Sequence, residues 1–266
     1  MTMPMQWALR RRMMMAALGS GIDVSSLSIT YTGAYTDYGM VTMSDGARYR
    51  LLAFTASGTL SIEQPVNCEV CVVGGGANGA NATTYSSGVG GAGAYLKNQS
   101  VSAYNGGSVV VGAAQGASSI ADVSVNAVSG KNGGTGGGGG GTGDGMSKYP
   151  FEDTSYSLWA GKPHCAGGGK GAYNYKASGY SGGNGGTNGG NGYPDSSYVP
   201  HPSGGDGGSY GGGAGGNMNG GNATYYGSGA GGGEWYRSSS DYEIYSNGGS
   251  GYQGIVYMRI PEDQAA

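Results

Sequence analysis

The residues best suited to chemistry are Cys68 and Cys71, a C-x-x-C pair, with His164-Cys165 as a second donor pair further along. Four such ligands could hold zinc if they converged on a tetrahedron. Cys68 and Cys71 lie in Asn67–Val73, which reads as a strand, and residues three apart on a strand face opposite sides. Buried, reduced thiols are therefore expected, with no metal. Gly74-Gly75-Gly76-Ala77-Asn78-Gly79 follows that strand and matches G-x-G-x-x-G. The dinucleotide fingerprint also needs a helix and an acidic residue about twenty positions on. No helical period follows, and no Asp or Glu occurs between Glu69 and Asp122. His164 and His201 each adjoin proline in irregular sequence, which reads as solvated loop. The paired carboxylates (Glu152-Asp153, Asp241/Glu243, Glu262-Asp263) read as surface. No catalytic constellation is found, so no enzyme and no cofactor are expected.

What must position any functional residue is an unusual tract. Between residues 129 and 254 the only Ile, Leu or Val residues are Leu158, Val199 and Ile244, while glycine runs recur, as at Gly136–Gly141 and Gly231–Gly233. Too little apolar area is available there to offset ordering entropy by an ordinary core. Either the tract is low-complexity filler or backbone packs on backbone. Gly182-Gly183-Asn184-Gly185-Gly186-Thr187 and Gly204-Gly205-Asp206-Gly207-Gly208-Ser209 repeat every three residues, the period of the polyproline II helix. Its N–H and C=O groups point sideways, and glycine lets neighbours come close enough to satisfy them. Packed polyglycine II helices are the expectation. The broken period and only 8 prolines exclude collagen.

Around the tract, Ile22–Thr36, Gly39–Phe54 (split by an Asp45-Gly46 turn), Gly58–Ile62 (closed by Pro65) and Asn67–Val73 read as strands. Ala92–Ala103 and Ser108–Val111 read as two strands joined by an Asn105-Gly106-Gly107 turn, and Ser118–Val128 as another. Ile255–Ile260 follows the tract, and such an apolar strand must pair within the earlier sheet rather than stand exposed. The predicted fold is mainly β: a jelly-roll-like β-sandwich of residues 54–260, with 129–254 inserted as a polyglycine II bundle. Residues 22–53 are expected as a separate set of N-terminal strands, 261–266 as a tail, and 1–21 as a short helix. Trp7, Met14 and Leu18 share one face of that helix and would dock on a partner; a frayed tail or a short signal peptide are the alternatives. A net charge of −3 gives no reason to expect nucleic acid, and no apolar run is long enough to cross a membrane.

The order of strand, Gly74-Gly75-Gly76, Gly93-Ala94-Tyr95 strand, Ser108–Gly112, Ser118–Val128, glycine tract and Gly249–Val256 resembles the glycine-rich domain of bacteriophage tail-fibre and tail-tip proteins and adhesins. A related module occurs in the anaplastic lymphoma kinase receptor family. The resemblance covers roughly 54–260. It implies polyglycine II helices in a lattice beside a β-sandwich, with loops between them contacting a host receptor. It further implies a tail location in the virion; residues 1–53 depart from the pattern and are read separately as a virion-anchoring segment.

The residues point to the same surface. With 22 Tyr beside 2 Phe, the chain favours rings that are apolar yet hydrogen-bonding. They interrupt the glycines in clusters, and a glycine lattice has no room for them, so loops at its ends are expected. Tyr-, Ser-, Gly- and Asn-rich loops give large contact area at low rotamer cost. The expected receptor contacts are Tyr156, Trp159, Tyr198, Tyr225, Tyr226, Trp235, Tyr236 and Tyr242; the alternative is that such rings cap the lattice. The function expected is a non-enzymatic tail tip or fibre protein meeting a protein or glycan receptor. It would contact other tail proteins through its N-terminal segment and form a homo-oligomer, a trimer being the first candidate. A structural virion component and a secreted glycine-rich adhesin are the competing readings.

Overall fold

Residues 48–54, 67–73 and 255–260 are apolar at consecutive as well as alternate positions, so neither face of these strands suits water. The computed structural model of the chain describes residues 22–84, 88, 90–126, 148–169, 171, 173–175, 178–180, 220–233, 235–237 and 243–264. It places the three apolar stretches side by side. The first strands are β1 (Ile29–Tyr31), β2 (Tyr35–Thr42), β3 (Arg48–Phe54), β4 (Gly58–Val73), β5 (Leu96–Val110), β6 (Ser118–Ile120) and β7 (Val123–Val125). Later come β8 (Tyr173–Tyr175), β9 (Ser178–Tyr180), β10 (Trp235–Arg237), β11 (Glu243–Tyr245) and β12 (Ile255–Pro261). The protein is mainly β. Eight strands form an antiparallel sheet in the order β2-β3-β12-β4-β5-β6-β7, with β1 beside β4. A second sheet runs β11-β10-β8-β9, in which β8 and β10 are parallel.

β12 lies between β3 and β4, with Val256 opposite both Phe54 and Val72. The strand after the glycine tract thus returns to the centre of a sheet built before it. On one face Leu52, Phe54, Val70, Val72, Val256 and Met258 pack with Val24, Leu27, Ile120 and Val123. The β6–β7 hairpin curls back over β4 and β12 to help close that face. On the other, Leu51, Ala53, Cys71, Val73, Ile255 and Tyr257 meet Ala77, Ala92, Ala94, Phe151, Trp159 and Cys165. Each large side chain so buried contributes about 1.5–3 kcal/mol.

Glycine-rich backbone covers this second face. Segments 74–82, 90–94 with Gly88, 165–169 with Gly171, 220–223, 227–233 and 246–254 lie alongside one another. The N–H groups of 229–233 turn through three neighbours. Gly229 and Gly232 donate to Ala166 and Gly169, Ala230 and Gly233 to Ala77 and Ala80, and Gly231 to Gly221. Carbonyls accept at the same interval: Gly227, Ala230 and Gly233 take the N–H groups of Ala94, Gly91 and Gly88 at 2.6–2.7 Å. Close approach is what demands glycine here. A Cβ on Gly229 would overlap the Gly91 carbonyl, and one on Gly91 the Ala77 carbonyl. Alanine stands where the array meets the sheet, at Ala77, Ala92 and Ala94.

Several expectations are corrected. Pro65 does not end a strand: β4 runs through it, with the β4–β5 register shifting between Ser61 and Cys68, where a ladder donor is dispensable. Asn105-Gly106-Gly107 is no turn, since Ser61 pairs with Gly106 and Leu60 with Gly107 inside one 15-residue strand. Ser118–Val128 is not one strand, because Ala121 at φ 51° helps turn it into the β6–β7 hairpin. From residues 22–53, β1, β2 and most of β3 pair within the main sheet. The Asp45-Gly46 turn joins β2 to β3, with Gly46 at φ 79°. The helix expected over 1–21, and the runs 136–141, 182–187 and 204–209, lie outside the described residues.

Candidate functional site

The surface where tyrosines gather is built on the loop after Lys148. Pro150–Glu152 forms one 3-10 turn. Asp153 then ties the loop's own backbone to the β2–β3 turn: its Oδ1 accepts the N–H groups of Ser155 and Tyr156, each at 3.0 Å, and its Oδ2 that of Ser44. Burial works to raise the pKa of Asp153, but these hydrogen bonds outweigh it and hold the carboxyl below its ordinary range. The indole Nε1 of Trp159 donates to the Asp153 carbonyl at 2.5 Å. Arg259 on β12 pairs with Glu69 and lies over the rings of Tyr49 and Phe151, tying the loop to the sheet.

Trp159 is fully buried, edge-on to Tyr156 and to Tyr257 at centroid distances of 4.8 and 5.4 Å. The Tyr257 hydroxyl meets His164 Nε2 at 3.1 Å. His164 is held by reciprocal backbone hydrogen bonds with Lys148 and sits against Tyr225 and Tyr226 at 5.0 and 6.2 Å. Tyr226 in turn meets Tyr252. Tyr38, at the bulge of the β2 edge strand, is 41% exposed and near enough to disfavour ionisation of Tyr156, Tyr225, Tyr226 and Tyr257. The result is a half-buried rim of Tyr156, Tyr225, Tyr226 and Tyr252 over an interior of Trp159, Tyr257 and His164.

Burial raises the pKa values of Tyr156, Tyr225 and Tyr226, and that of Tyr257 furthest, so these phenols stay neutral at physiological pH. Burial lowers His164 to about 3, leaving a neutral imidazole whose Nδ1 has no hydrogen-bond partner among the described residues. Cys68 and Cys71 face opposite sides of β4, one in each core, and burial raises both thiols, Cys68 to about 12. Thiols so disfavoured as thiolates are poor nucleophiles and ligands. Among the described residues no group of His, Cys, Asp and Glu could hold a metal. Two grooves of about 440 Å³ flank Leu96–Lys97, one lined by Lys97, Lys148 and Glu152, the other by Ser124 and Asn126. What the aromatic cluster offers chemically is ring faces and neutral hydroxyls.

Of the expected contact residues, Tyr156, Tyr225 and Tyr226 come together here. Trp159 and Trp235 are corrected: both are fully buried, and an indole with no exposed face cannot meet a receptor. His164 is likewise buried, not solvated. Tyr198, Tyr242 and His201 lie outside the described residues, as does the side chain of Tyr236. Sequence reasoning missed Tyr38, Tyr252 and Tyr257, which come from β2, segment 246–254 and β12, far from 149–164 in the chain. Comparisons with protein-family models, with curated proteins and with solved structures found no match.

Proposed function

We propose that the glycine segments are polyglycine II helices packed beside a two-layer β-sandwich, and that the protein is a non-enzymatic bacteriophage tail tip or fibre component meeting the host surface through its tyrosine rim. One observation carries the reading: neighbouring segments exchange backbone hydrogen bonds every third residue, the repeat of a helix with three residues per turn. That arrangement is what the resemblance to glycine-rich tail proteins implies. The contacts proposed are Tyr38, Tyr156, Tyr225 and Tyr226, to a protein or glycan receptor; the N-terminal segment joins other tail proteins, in a homo-oligomeric assembly. The burial of Trp159 and Trp235 favours a second reading, a purely structural virion part, because two rings suited to anchoring serve packing instead.

The test is to replace Tyr225 and Tyr226 with Ala together, confirm the fold by circular dichroism and melting, and measure adsorption of virions carrying the variant. Interface hot spots of this type lose about 2 kcal/mol or more on truncation, so adsorption should fall at least tenfold. Folded protein, incorporated into virions that adsorb at the parental rate, would replace the adhesin with the structural reading.

A further inference from the structure

Segment 246–254 stands out in where its N–H groups go. Those of Gly249 and Tyr252 run inward to the carbonyls of Gly231 and Ser228. Those of Gly248 and Gly251 meet no backbone carbonyl among the described residues; they donate to the side-chain oxygens of Asn81 and Asn78, each at 2.9 Å. The N–H of Ser250 donates to Asn222 Oδ1 at 2.8 Å. All three asparagines are exposed, and Asn78 and Asn81 are one three-residue interval apart, as are the amides they cap. An amide side chain offers the same C=O acceptor as a peptide group.

We propose that Asn78 and Asn81 stand in for the carbonyls of a further glycine segment and close this edge of the array, and that without them the edge accepts a glycine-rich segment from a second copy of the chain. The donors set the chemistry of that partner. Bare N–H groups recurring every three residues, a rise of about 9.3 Å in a threefold extended helix, match carbonyls repeated at that same rise. Any side chain on the incoming segment would hold it off, as a Cβ would between the existing segments. This chain, with its 62 glycines, supplies such segments itself. The device parallels the blunting of edge strands in β-sheets, where an open row of backbone groups invites another chain.

The test is the double variant Asn78→Ala/Asn81→Ala, compared with Asn78→Asp/Asn81→Asp, which keeps an oxygen acceptor. Amide hydrogen exchange at Gly248 and Gly251 should speed at least tenfold in dilute alanine variant, and light scattering should show mass above the parent's as concentration rises. The aspartate variant should retain both protection and the parental mass. Exchange within twofold of the parent in the alanine variant, or an unchanged mass at every concentration, overturns the proposal. Should that variant not fold, Asn78→Ala alone, which uncaps Gly251, is read by exchange at Gly251 and by the same light scattering.

Discussion

At His164 the chain encloses an imidazole among Tyr225, Tyr226 and Tyr257, and among the described residues its ring makes one hydrogen bond, between Nε2 and the Tyr257 hydroxyl. Its pKa is lowered from 6.5 to about 3 by burial. Between those values the unfolded chain binds a proton that the folded protein refuses. Stability therefore rises with pH across that window and is lost as pH falls from 6.5 toward 3, by up to about 1.4 kcal/mol per pH unit. The three tyrosines stay neutral throughout. Asp153, held below its ordinary range, also loses stability on acidification, so a comparison isolates the histidine. His164→Gln should flatten the decline in urea midpoint between pH 7 and pH 4.5. An equally steep decline in the variant would show that His164 takes up its proton without unfolding.

At the scale of elements, the glycine segments and the hairpin turns use glycine for different reasons. Gly46 needs a left-handed backbone, φ 79°, and a Cβ there meets nothing within 4 Å among the described residues. Gly46→Ala should cost only the left-handed penalty, about 1–2 kcal/mol. Gly229 needs closeness: a Cβ would overlap the Gly91 carbonyl and push apart segments joined by hydrogen bonds from Gly229 to Ala166 and from Gly91 to Ala230. Each buried backbone group left unpaired costs about 1–3 kcal/mol, and several would be lost together. Gly229→Ala should lower the melting temperature far more than Gly46→Ala, or abolish cooperative melting. A variant melting within two or three degrees of the parent, at about that precision, would mean that the array yields without loss.

Across the whole molecule, β12 joins the two halves of the design. It hydrogen-bonds β3 on one side and β4 on the other, and contributes Val256, Met258 and Ile260 to one core and Ile255 and Tyr257 to the other. Deleting residues 254–266 would expose both cores and open two strand edges at the sheet's centre. The truncated chain should be insoluble or melt without cooperativity. A soluble truncation with a sharp transition would show that the sheet closes without it.

Much of this was legible in the residues. The mainly β character followed from apolar runs of strand length, the return of Ile255–Ile260 from its need for partners, and the Asp45-Gly46 turn from local backbone preference. The poverty of aliphatic side chains in the glycine tract ruled out an ordinary core there, because composition alone bounds the apolar area a segment can bury. Only the tertiary structure decided the rest. Pro65 and Gly106 read locally as strand breakers, yet both lie inside long strands because the β4–β5 pairing absorbs them at register shifts and close approaches. Trp159 and His164 read as loop residues for exposure. They are interior because rings from sequence-distant segments share that sheet face with the glycine array and fill what its bare backbone leaves open. Whether a ring is buried depends on which surfaces arrive beside it, and that is set by contacts remote in the chain.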